Sequence, residues 1–320
     1  MKKITSTIIL LFLIVTCALA QNTIEDGKML FDEKKFEQAK EIFSGLLKMS
    51  NNNHEVNYYL GLICYVSERN YDDAEEYFLK SVELDPNNAQ YHYMLGANYG
   101  SQAQEASIFS QLSLASSCKE EFEKAVELDP SHLDARVSLI QYLIQAPGIA
   151  GGSIYDARTQ TKELEKYDKY LSQIMIAGIE CEEENFANAE KAYLSAEAAD
   201  PSRIGAYNAL GYLYLTALNQ PDKAMEQFKK LVEVGGEYAN SHDSLGDGYA
   251  HKGMYEEALK CYSKALEIDP EFESSLFNMG KINEKLNDKK AAVKWYKKYL
   301  KIYKNGRYAD DAEGGLDNLE

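Results

Sequence analysis

The chain has 320 residues, of which 34 are basic and 51 are acidic, so its formal net charge at pH 7 is −17. A surface this acidic repels phosphate backbones and gains nothing from counterion release, so we expect no nucleic acid partner. The length is compatible with one domain or two, and the internal pattern of the sequence distinguishes these alternatives.

Residues 1–20 predict a secretory signal peptide. Lys2 and Lys3 precede an apolar stretch over residues 8–15, and small residues follow at Ala18 and Ala20. This order is typical of an export signal cleaved after Ala20, and the apolar stretch is too short to span a bilayer. Cleavage would take the charge of the remaining chain to −19. We therefore expect a periplasmic or secreted protein with no transmembrane segment in the mature chain.

An alternative is lipid attachment at Cys17. The residues Ile14-Val15-Thr16-Cys17 resemble a lipoprotein processing site. Thr16 is larger than the glycine, alanine or serine usually found before the modified cysteine, which places this interpretation second.

The clearest structural unit is residues 241–270. Apolar and small residues there follow one another at three- and four-residue steps in two segments, and Lys252-Gly253 separates the segments. This pattern predicts two antiparallel amphipathic helices. Gly246 and Ala258 are expected where the two helices approach most closely. Asp269 is expected to cap the next helix, with Pro270 in its first turn.

The same pattern recurs along the chain. Gly246, Ala258 and Tyr262 are repeated 34 residues later, as Gly280, Ala292 and Tyr296. Related sets occur earlier, and Asp-Pro ends four of the units, at Asp85-Pro86, Asp129-Pro130, Asp200-Pro201 and Asp269-Pro270. A fixed period of this length indicates a repeat architecture.

These residues resemble the tetratricopeptide repeat (TPR) family, in which Leu-Gly and Tyr lie on the first helix, Ala and Phe/Tyr on the second, and Pro at the end. With the export signal, the chain is similar to an exported bacterial member. The resemblance implies an all-α solenoid of about eight helix–turn–helix repeats in a right-handed superhelix, over residues 21–304. Since each repeat contacts only its neighbours, one elongated domain is expected. Residues 305–320 are predicted to form a C-terminal capping tail.

Two insertions interrupt the array. In the third unit, Gly96 and Cys118 are 22 residues apart where the family spacing is 12, and the added residues near 101–113 contain few helix breakers. We expect them to extend the two helices. In the fourth unit, residues 146–153 contain Pro147 and three glycines, which predict a turn. The insertions lie on consecutive repeats and at the same end of the hairpin, so they are expected to form one protrusion.

No catalytic or metal-binding pattern is evident. The segment Gly148–Ser153 lacks the lysine and the preceding strand of a phosphate-binding loop, and its interpretation as a turn is favoured. Five histidines are scattered over four repeats, and the cysteines that follow residue 20 have no paired spacing that would indicate a disulfide or a metal site. We expect no enzyme activity, no cofactor and no bound metal.

The family resemblance implies a binding groove lined by the first helix of each repeat. Carried over by position, it assigns to the groove Tyr58, Leu62, Tyr65, Tyr93, Val137, Gln141, Ile174, Asn208, Tyr212, Asp243, Asp247, Phe277 and Lys281. For each residue, packing between repeats is an equal alternative. The positions that hold a C-terminal carboxylate in some family members carry Tyr58, Leu62 and Met94, so that mode of binding is not expected.

The sequence therefore predicts a non-enzymatic interaction scaffold in the cell envelope. Its partner would be a peptide or protein held in the groove or at the protrusion of the third and fourth repeats. The alternative is a lipid-anchored component of an envelope assembly, attached through Cys17. Whether the chain self-associates stays open.

Overall fold

Short antiparallel helices account for most of the chain. The computed structural model describes residues 23–49 and 52–319, so the predicted signal peptide and Cys17 lie outside the described residues. Within the described ranges there are 17 α-helices and no β-strand. Sixteen of these helices pair into eight consecutive hairpins, and the last helix follows the eighth hairpin. The predicted all-α repeat fold is confirmed.

The described residues up to Gln160 form one compact unit, and those from Thr161 onward form a second. We call them the N-terminal and the C-terminal unit. The sequence predicts one elongated domain, whereas the structure groups the residues into two units. In a repeat array each hairpin packs on its sequence neighbours instead of around one shared core, so the array can divide at a point along its length.

The N-terminal unit contains three complete hairpins and most of a fourth. Their helices are α1 (Ile24–Asp32), α2 (Phe36–Met49), α3 (His54–Ile63), α4 (Tyr71–Leu84), α5 (Ala89–Glu105), α6 (Ile108–Leu128), α7 (Leu133–Gln145) and the first part of α8 (Ile154–Leu164). Side chains cap several of these helices. The Thr23 hydroxyl accepts a hydrogen bond from the Asp26 amide, and the Asp26 carboxylate accepts one from the Thr23 amide. This reciprocal pair fixes the start of α1.

The C-terminal unit contains the remaining hairpins and the last helix. Their helices are α9 (Lys169–Glu182), α10 (Phe186–Ala199), α11 (Gly205–Tyr212), α12 (Pro221–Gly235), α13 (Ala239–His251), α14 (Tyr255–Ile268), α15 (Glu273–Lys285), α16 (Lys289–Ile302) and α17 (Ala309–Leu319). Helix α17 lies over the end of the eighth hairpin. Its Ala312 is fully buried, and Leu316 packs against a cluster that includes Tyr296 and Tyr299.

The repeated glycine is required by the close approach of the two helices in a hairpin. A Cβ atom added to Gly246 would lie 2.6 Å from the Tyr262 ring, which itself is 1% exposed. The predicted close approach of the two helices at Gly246 is therefore confirmed. It explains why this position cannot carry a side chain unless the hairpin opens.

The Asp-Pro pairs have a different role from the one expected. Helix α14 ends at Ile268 and α15 begins at Glu273, so Asp269 and Pro270 lie in the link and do not start the next helix. The Asp269 carboxylate accepts a hydrogen bond from the Glu271 amide at 3.0 Å. The same bond joins Asp129 to the Ser131 amide. An aspartate that bonds the amide two residues later stabilises a turn, so the prediction of a helix cap was wrong.

Single-residue insertions are absorbed by π-helical turns. Gly61 and Ala74 are one residue further apart than Gly246 and Ala258, and residues Cys64–Glu68 form a π-helical turn between them. The same extra residue separates Gly211 from Ala224, and Leu213–Ala217 form the second such turn. A π-helical turn accommodates one added residue without ending the helix.

The two longer insertions have distinct structures. The residues added near 101–113 extend α5 and α6, and only Ala106 and Ser107 lie between the two helices, as the composition predicts. The other insertion is a short loop with one 3₁₀ turn, Gly148–Ala150. Its Gly151 has φ of 85°, a conformation that favours glycine. A Cβ atom added to Gly152 would overlap the Ala146 carbonyl oxygen.

Candidate binding site

A cavity of about 740 Å³ lies in the C-terminal unit among the first helices of the last three hairpins. Helix α13 supplies one wall, because residues four positions apart share one face of a helix. Residues from α11 and the turn that follows it, from α14, from α15 and from the segment before α17 complete the cavity. Its lining includes Tyr212, Thr216, Asn240, Asp243, Asp247, Ala250, Tyr262, Phe277, Asn278, Lys281, Lys285, Arg307 and Tyr308.

Asp243 lies at the base of the cavity. Its side chain is 4% exposed, and its two carboxylate oxygens accept hydrogen bonds from the hydroxyls of Ser275, at 2.5 Å, and Ser274, at 2.6 Å. Burial, together with the neighbouring charge of Asp247, raises the pKa of Asp243 to about 7. This carboxyl group therefore changes its charge close to neutral pH.

Asp247 connects three hairpins. It accepts hydrogen bonds from the hydroxyls of Tyr212 and Tyr262, each at 2.8 Å, and from the amide of Asn278 at 3.1 Å. Burial raises the pKa of Asp247, against the effect of these donors and of the positive charge of Lys281. Burial and the charge of Asp247 also raise the pKa of Tyr262. The acid pair thus joins successive repeats, and its oxygens are already engaged by side chains of this protein.

The mouth of the cavity carries exposed positive charge. Lys281, Lys285 and Arg307 line it and are exposed, whereas Asp243 is buried. Phe277 and Tyr308 stack with ring centroids 4.6 Å apart and an interplanar angle of 5°. This stack attaches the residue before α17 to α15, so the C-terminal segment completes the wall.

The predicted groove residues of the C-terminal unit are partly brought together. Tyr212, Asp243, Asp247 and Phe277 line the cavity, as does Lys281. Asn208 lies beneath them, where its side-chain oxygen accepts a hydrogen bond from the Ser244 hydroxyl at 2.8 Å.

Other residues of the site were missed by sequence reasoning. Tyr262 belongs to the second helix of its hairpin, while Arg307 and Tyr308 belong to the segment predicted only as a cap. The recurrence of tyrosine at position 262 predicts a packed ring, but it carries no signal for the hydroxyl contact with Asp247.

Three of the predicted groove residues of the N-terminal unit pack between neighbouring repeats. The Tyr58 hydroxyl accepts a hydrogen bond from the Gln90 side chain at 3.0 Å, and burial raises the pKa of Tyr58 to about 12. The Tyr65 hydroxyl lies 3.0 Å from the Ser101 hydroxyl. The Tyr93 ring lies 5.2 Å from the His132 ring. Gln141 is exposed. For the three tyrosines, these contacts favour the packing alternative.

A second cavity, of about 410 Å³, joins the two insertions of the N-terminal unit. Its lining has no charged residue, and both insertions contribute to it, through Ala103, Gln104, Gln111, Leu112, Ala146, Pro147 and Ala150. The Tyr142 hydroxyl holds the loop by donating a hydrogen bond to the Ala150 carbonyl at 2.5 Å. Leu112 is 42% exposed and Ile149 is 83% exposed. Both insertions thus line one cavity, and that they form one protrusion stays a prediction.

Two other kinds of site were sought in residues 23–49 and 52–319. In these ranges, no group of three or more His, Cys, Asp or Glu side chains is arranged to hold a metal ion. No helix of the same ranges is both long enough and apolar enough to span a bilayer.

Sequence comparisons identify the repeats. The profile described as "Tetratricopeptide repeat" matches residues 30–97, and a second of that description matches residues 204–234 and 273–305. The profile described as "TPR repeat" matches residues 246–287.

Similar curated proteins are much longer than this chain. "Superkiller complex protein 3" from Homo sapiens is 32% identical over 89 residues, which are 28% of this chain and 6% of that protein. "Tetratricopeptide repeat protein 37" from Xenopus laevis is 28% identical over 102 residues, which are 32% of this chain and 6% of that protein.

Solved structures show the same fold at low sequence identity. Yeast Tom70 has a TM-score of 0.72 at 15% identity, over 89% of this chain and 59% of that chain. A tetratricopeptide repeat protein from Parabacteroides merdae has a TM-score of 0.57 at 15% identity, over 82% of this chain and 94% of that chain.

Proposed function

Because the chain belongs to the tetratricopeptide repeat family, we propose that it is a non-enzymatic scaffold that holds a segment of a protein partner in the cavity of the C-terminal unit. The observation that carries this proposal is the shape of the site. Three successive repeats and the C-terminal segment enclose about 740 Å³, a volume within the range of ligand-binding cavities.

The chemistry of the cavity favours a peptide over a small polar substrate. Asp243 and Asp247 already bond to hydroxyl and amide donors of the protein, so they form a rigid floor. The exposed side chains of Lys281, Lys285 and Arg307 remain at the mouth. Side chains of this kind can hydrogen-bond the carbonyl groups of an extended chain. The aromatic rings of Phe277 and Tyr308 supply apolar area.

The names of similar proteins are consistent with such a role. One relative is named as a protein of the Superkiller complex. The APC/C hetero-tetramer Cut9-Hcn1 has a TM-score of 0.52 at 15% identity, over 89% of this chain and 52% of that chain. By analogy, we propose that this chain also works inside a multi-protein assembly.

The cavity can be tested by filling it. Ala250 lines the cavity, and Ala250→Trp would occupy it without removing a hydrogen bond. Peptides would be selected from a displayed random library on the unaltered chain and then measured on the variants. The selected peptides should bind the unaltered chain and fail to bind Ala250→Trp. Ala187→Trp is the control, because Ala187 is exposed on α10, a helix that contributes no residue to the cavity.

Two outcomes would contradict the proposal. The first is a set of selected peptides that bind Ala250→Trp and the unaltered chain equally. The second is a selection that yields no binding peptide although the chain is folded by circular dichroism.

The cavity between the two insertions is a second candidate for the binding surface. Its uncharged lining and the exposed Leu112 and Ile149 suit an apolar segment of a partner. Leu112→Asp should then release a bound partner. Leu194→Asp is a matched control, since Leu194 is 41% exposed and lies on α10. Equal retention of the partner by both variants would exclude this surface.

We further propose that the chain is exported to the cell envelope. The support is the order of basic, apolar and small residues over positions 1–20. Sequencing the N-terminus of the protein from its native source should give Gln21 as the first residue. Incorporation of a labelled lipid, with Cys17 as the N-terminal residue, would favour the anchored alternative.

A further inference from the structure

The eighth hairpin carries an unusual concentration of positive charge. Residues 281–307 contain ten basic and two acidic residues in a chain whose net charge is −17, and all ten basic residues are exposed. Extending the range through α17, to residue 319, gives ten basic and six acidic residues. The excess centres on α16, which has six lysines and no acidic residue.

The lysines of α16 lie on its exposed side. Ala292, Tyr296 and Tyr299 are buried against the neighbouring helices. Lys290, Lys294, Lys297 and Lys301 follow at steps of four, three and four residues, so they form one line along the helix. With a rise of 1.5 Å per residue, this line is about 16 Å long.

Comparison with the preceding repeat shows that the fold does not require this charge. Helices α14 and α16 are related by the 34-residue period and place tyrosine at the same position, Tyr262 and Tyr296. Helix α14 has three glutamates and two lysines. At the positions of Glu256 and Glu267, α16 has Lys290 and Lys301.

Several of these lysines disfavour the helix that carries them, although Lys301 lies in the last turn, where a cation is favourable. Cations in the first turn oppose the helix dipole, and like charges four residues apart repel each other. Other second helices avoid this cost with lysine–glutamate pairs. Lys80 pairs with Glu83 at 2.8 Å, and Lys264 pairs with Glu267 at 2.8 Å. The position equivalent to Glu267 carries Lys301. Helix stability therefore does not explain the pattern.

We propose that the exposed face of α16 is a docking surface for an acidic polypeptide segment, rich in Asp and Glu, of a partner protein. This surface is separate from the cavity, because the cavity lining contains no residue of α16. Charge complementarity would orient the partner and speed its association.

A membrane surface fits the face less well. A helix that lies in a bilayer interface inserts an apolar face, and the apolar side of α16 is occupied by packing. Trp295 is partly buried, and the Lys298 ammonium lies 5.0 Å from the centre of its ring.

Nucleic acid also fits less well. The rest of the chain is strongly acidic and would repel the phosphate backbone. Helix α16 has lysine only, without the arginine that binds phosphate in a bidentate manner.

The test measures binding of a fluorescein-labelled oligoglutamate peptide by fluorescence anisotropy, using the full chain at low and at physiological salt. The charge-reversal variant is Lys290→Glu with Lys301→Glu, which introduces the residues that α14 carries at the same positions. The control is Lys260→Glu with Lys264→Glu on α14, which changes the net charge equally. Binding should weaken by about tenfold or more in the first variant and should stay within about twofold in the control.

Three results would overturn the proposal. The first is a failure of oligoglutamate to bind at low salt. The second is an equal loss of oligoglutamate binding in both variants, which would indicate a response to net charge alone. The third is binding of phosphatidylserine–phosphatidylcholine vesicles, or of polyuridylic acid, through α16 while oligoglutamate does not bind. The last result would assign the surface to a membrane or to RNA. None of these results bears on the cavity, which the Ala250→Trp variant tests separately.

Discussion

Replacement of Asp243 by asparagine should change how the stability of the C-terminal unit depends on pH. Asp243 is 4% exposed, and burial and the charge of Asp247 raise its pKa to about 7. Asparagine has the same shape and can still accept a hydrogen bond from Ser275 and donate one to the Ser274 hydroxyl. The substitution therefore removes the titration of this group and keeps its contacts.

The sign of the pH dependence of stability follows from the raised pKa of Asp243. The folded protein binds the Asp243 proton more tightly than the unfolded chain does, where the pKa is near 3.9. The stabilisation from this proton is complete below about pH 3.9 and is lost as the pH rises through about 7. Between pH 5 and pH 8 this group should lower the free energy of unfolding by about 2 to 3 kcal/mol.

The assay is urea denaturation at several pH values from 5 to 8. Trp295 is the only tryptophan of the chain. It lies in the eighth hairpin, which follows the hairpin of Asp243, so its fluorescence reports on the C-terminal unit. Relative to the unaltered chain, Asp243→Asn should gain stability steadily as the pH rises. Glu256→Gln, at an exposed position on α14, should show no such trend.

A difference in stability between Asp243→Asn and the unaltered chain that stays constant from pH 5 to pH 8 would refute the reasoning. It would mean that Asp243 is already ionised at pH 5 in the folded protein. The hydroxyl donors of Ser274 and Ser275 would then outweigh burial.

Four further substitutions test the packing and the charge of α16. Tyr262→Phe removes a donor to the buried Asp247 and should lower the free energy of unfolding by about 1 to 3 kcal/mol, measured by urea denaturation. Gly246→Ala should cost about 1 to 3 kcal/mol, because the new methyl group meets the Tyr262 ring. Gly178→Ala, where nothing lies within 4 Å, should instead stabilise α9 by about 0.5 to 1 kcal/mol. Lys290→Glu should raise the thermal midpoint through a gain of about 0.3 to 1 kcal/mol, since it places an acid in the first turn of α16.

The fold was predictable because the residues that define each hairpin lie close together in the sequence. Six of the eight hairpins place a glycine of the first helix against an aromatic ring of the second, as for Gly246 and Tyr262. The same local reasoning failed for Asp269. A helix cap and a turn use the same residue types, and only the observed start of α15 at Glu273 distinguishes them.

Only the cavity residues that lie on first helices at the family's groove positions were predictable from the sequence. Tyr212, Asp247 and Phe277 follow from the position of each residue on a first helix. Two of the hydrogen bonds that Asp247 accepts come from residues that this position does not predict, Tyr262 on a second helix and Asn278 in the next repeat. A repeat pattern records that a ring packs at position 262, but it carries no information on where the hydroxyl group points.

The contacts of Asp247 also link binding in the cavity to the order of the surrounding hairpins. Asp247 bonds to residues of three successive hairpins, so a ligand that moves Tyr212 or Asn278 would disturb the contacts of all three. In a repeat array, such contacts between neighbours carry most of the cooperativity. Binding in the cavity should therefore stiffen the sixth, seventh and eighth hairpins together. The charged face of α16 would then lie on one of the three hairpins that occupancy of the cavity orders.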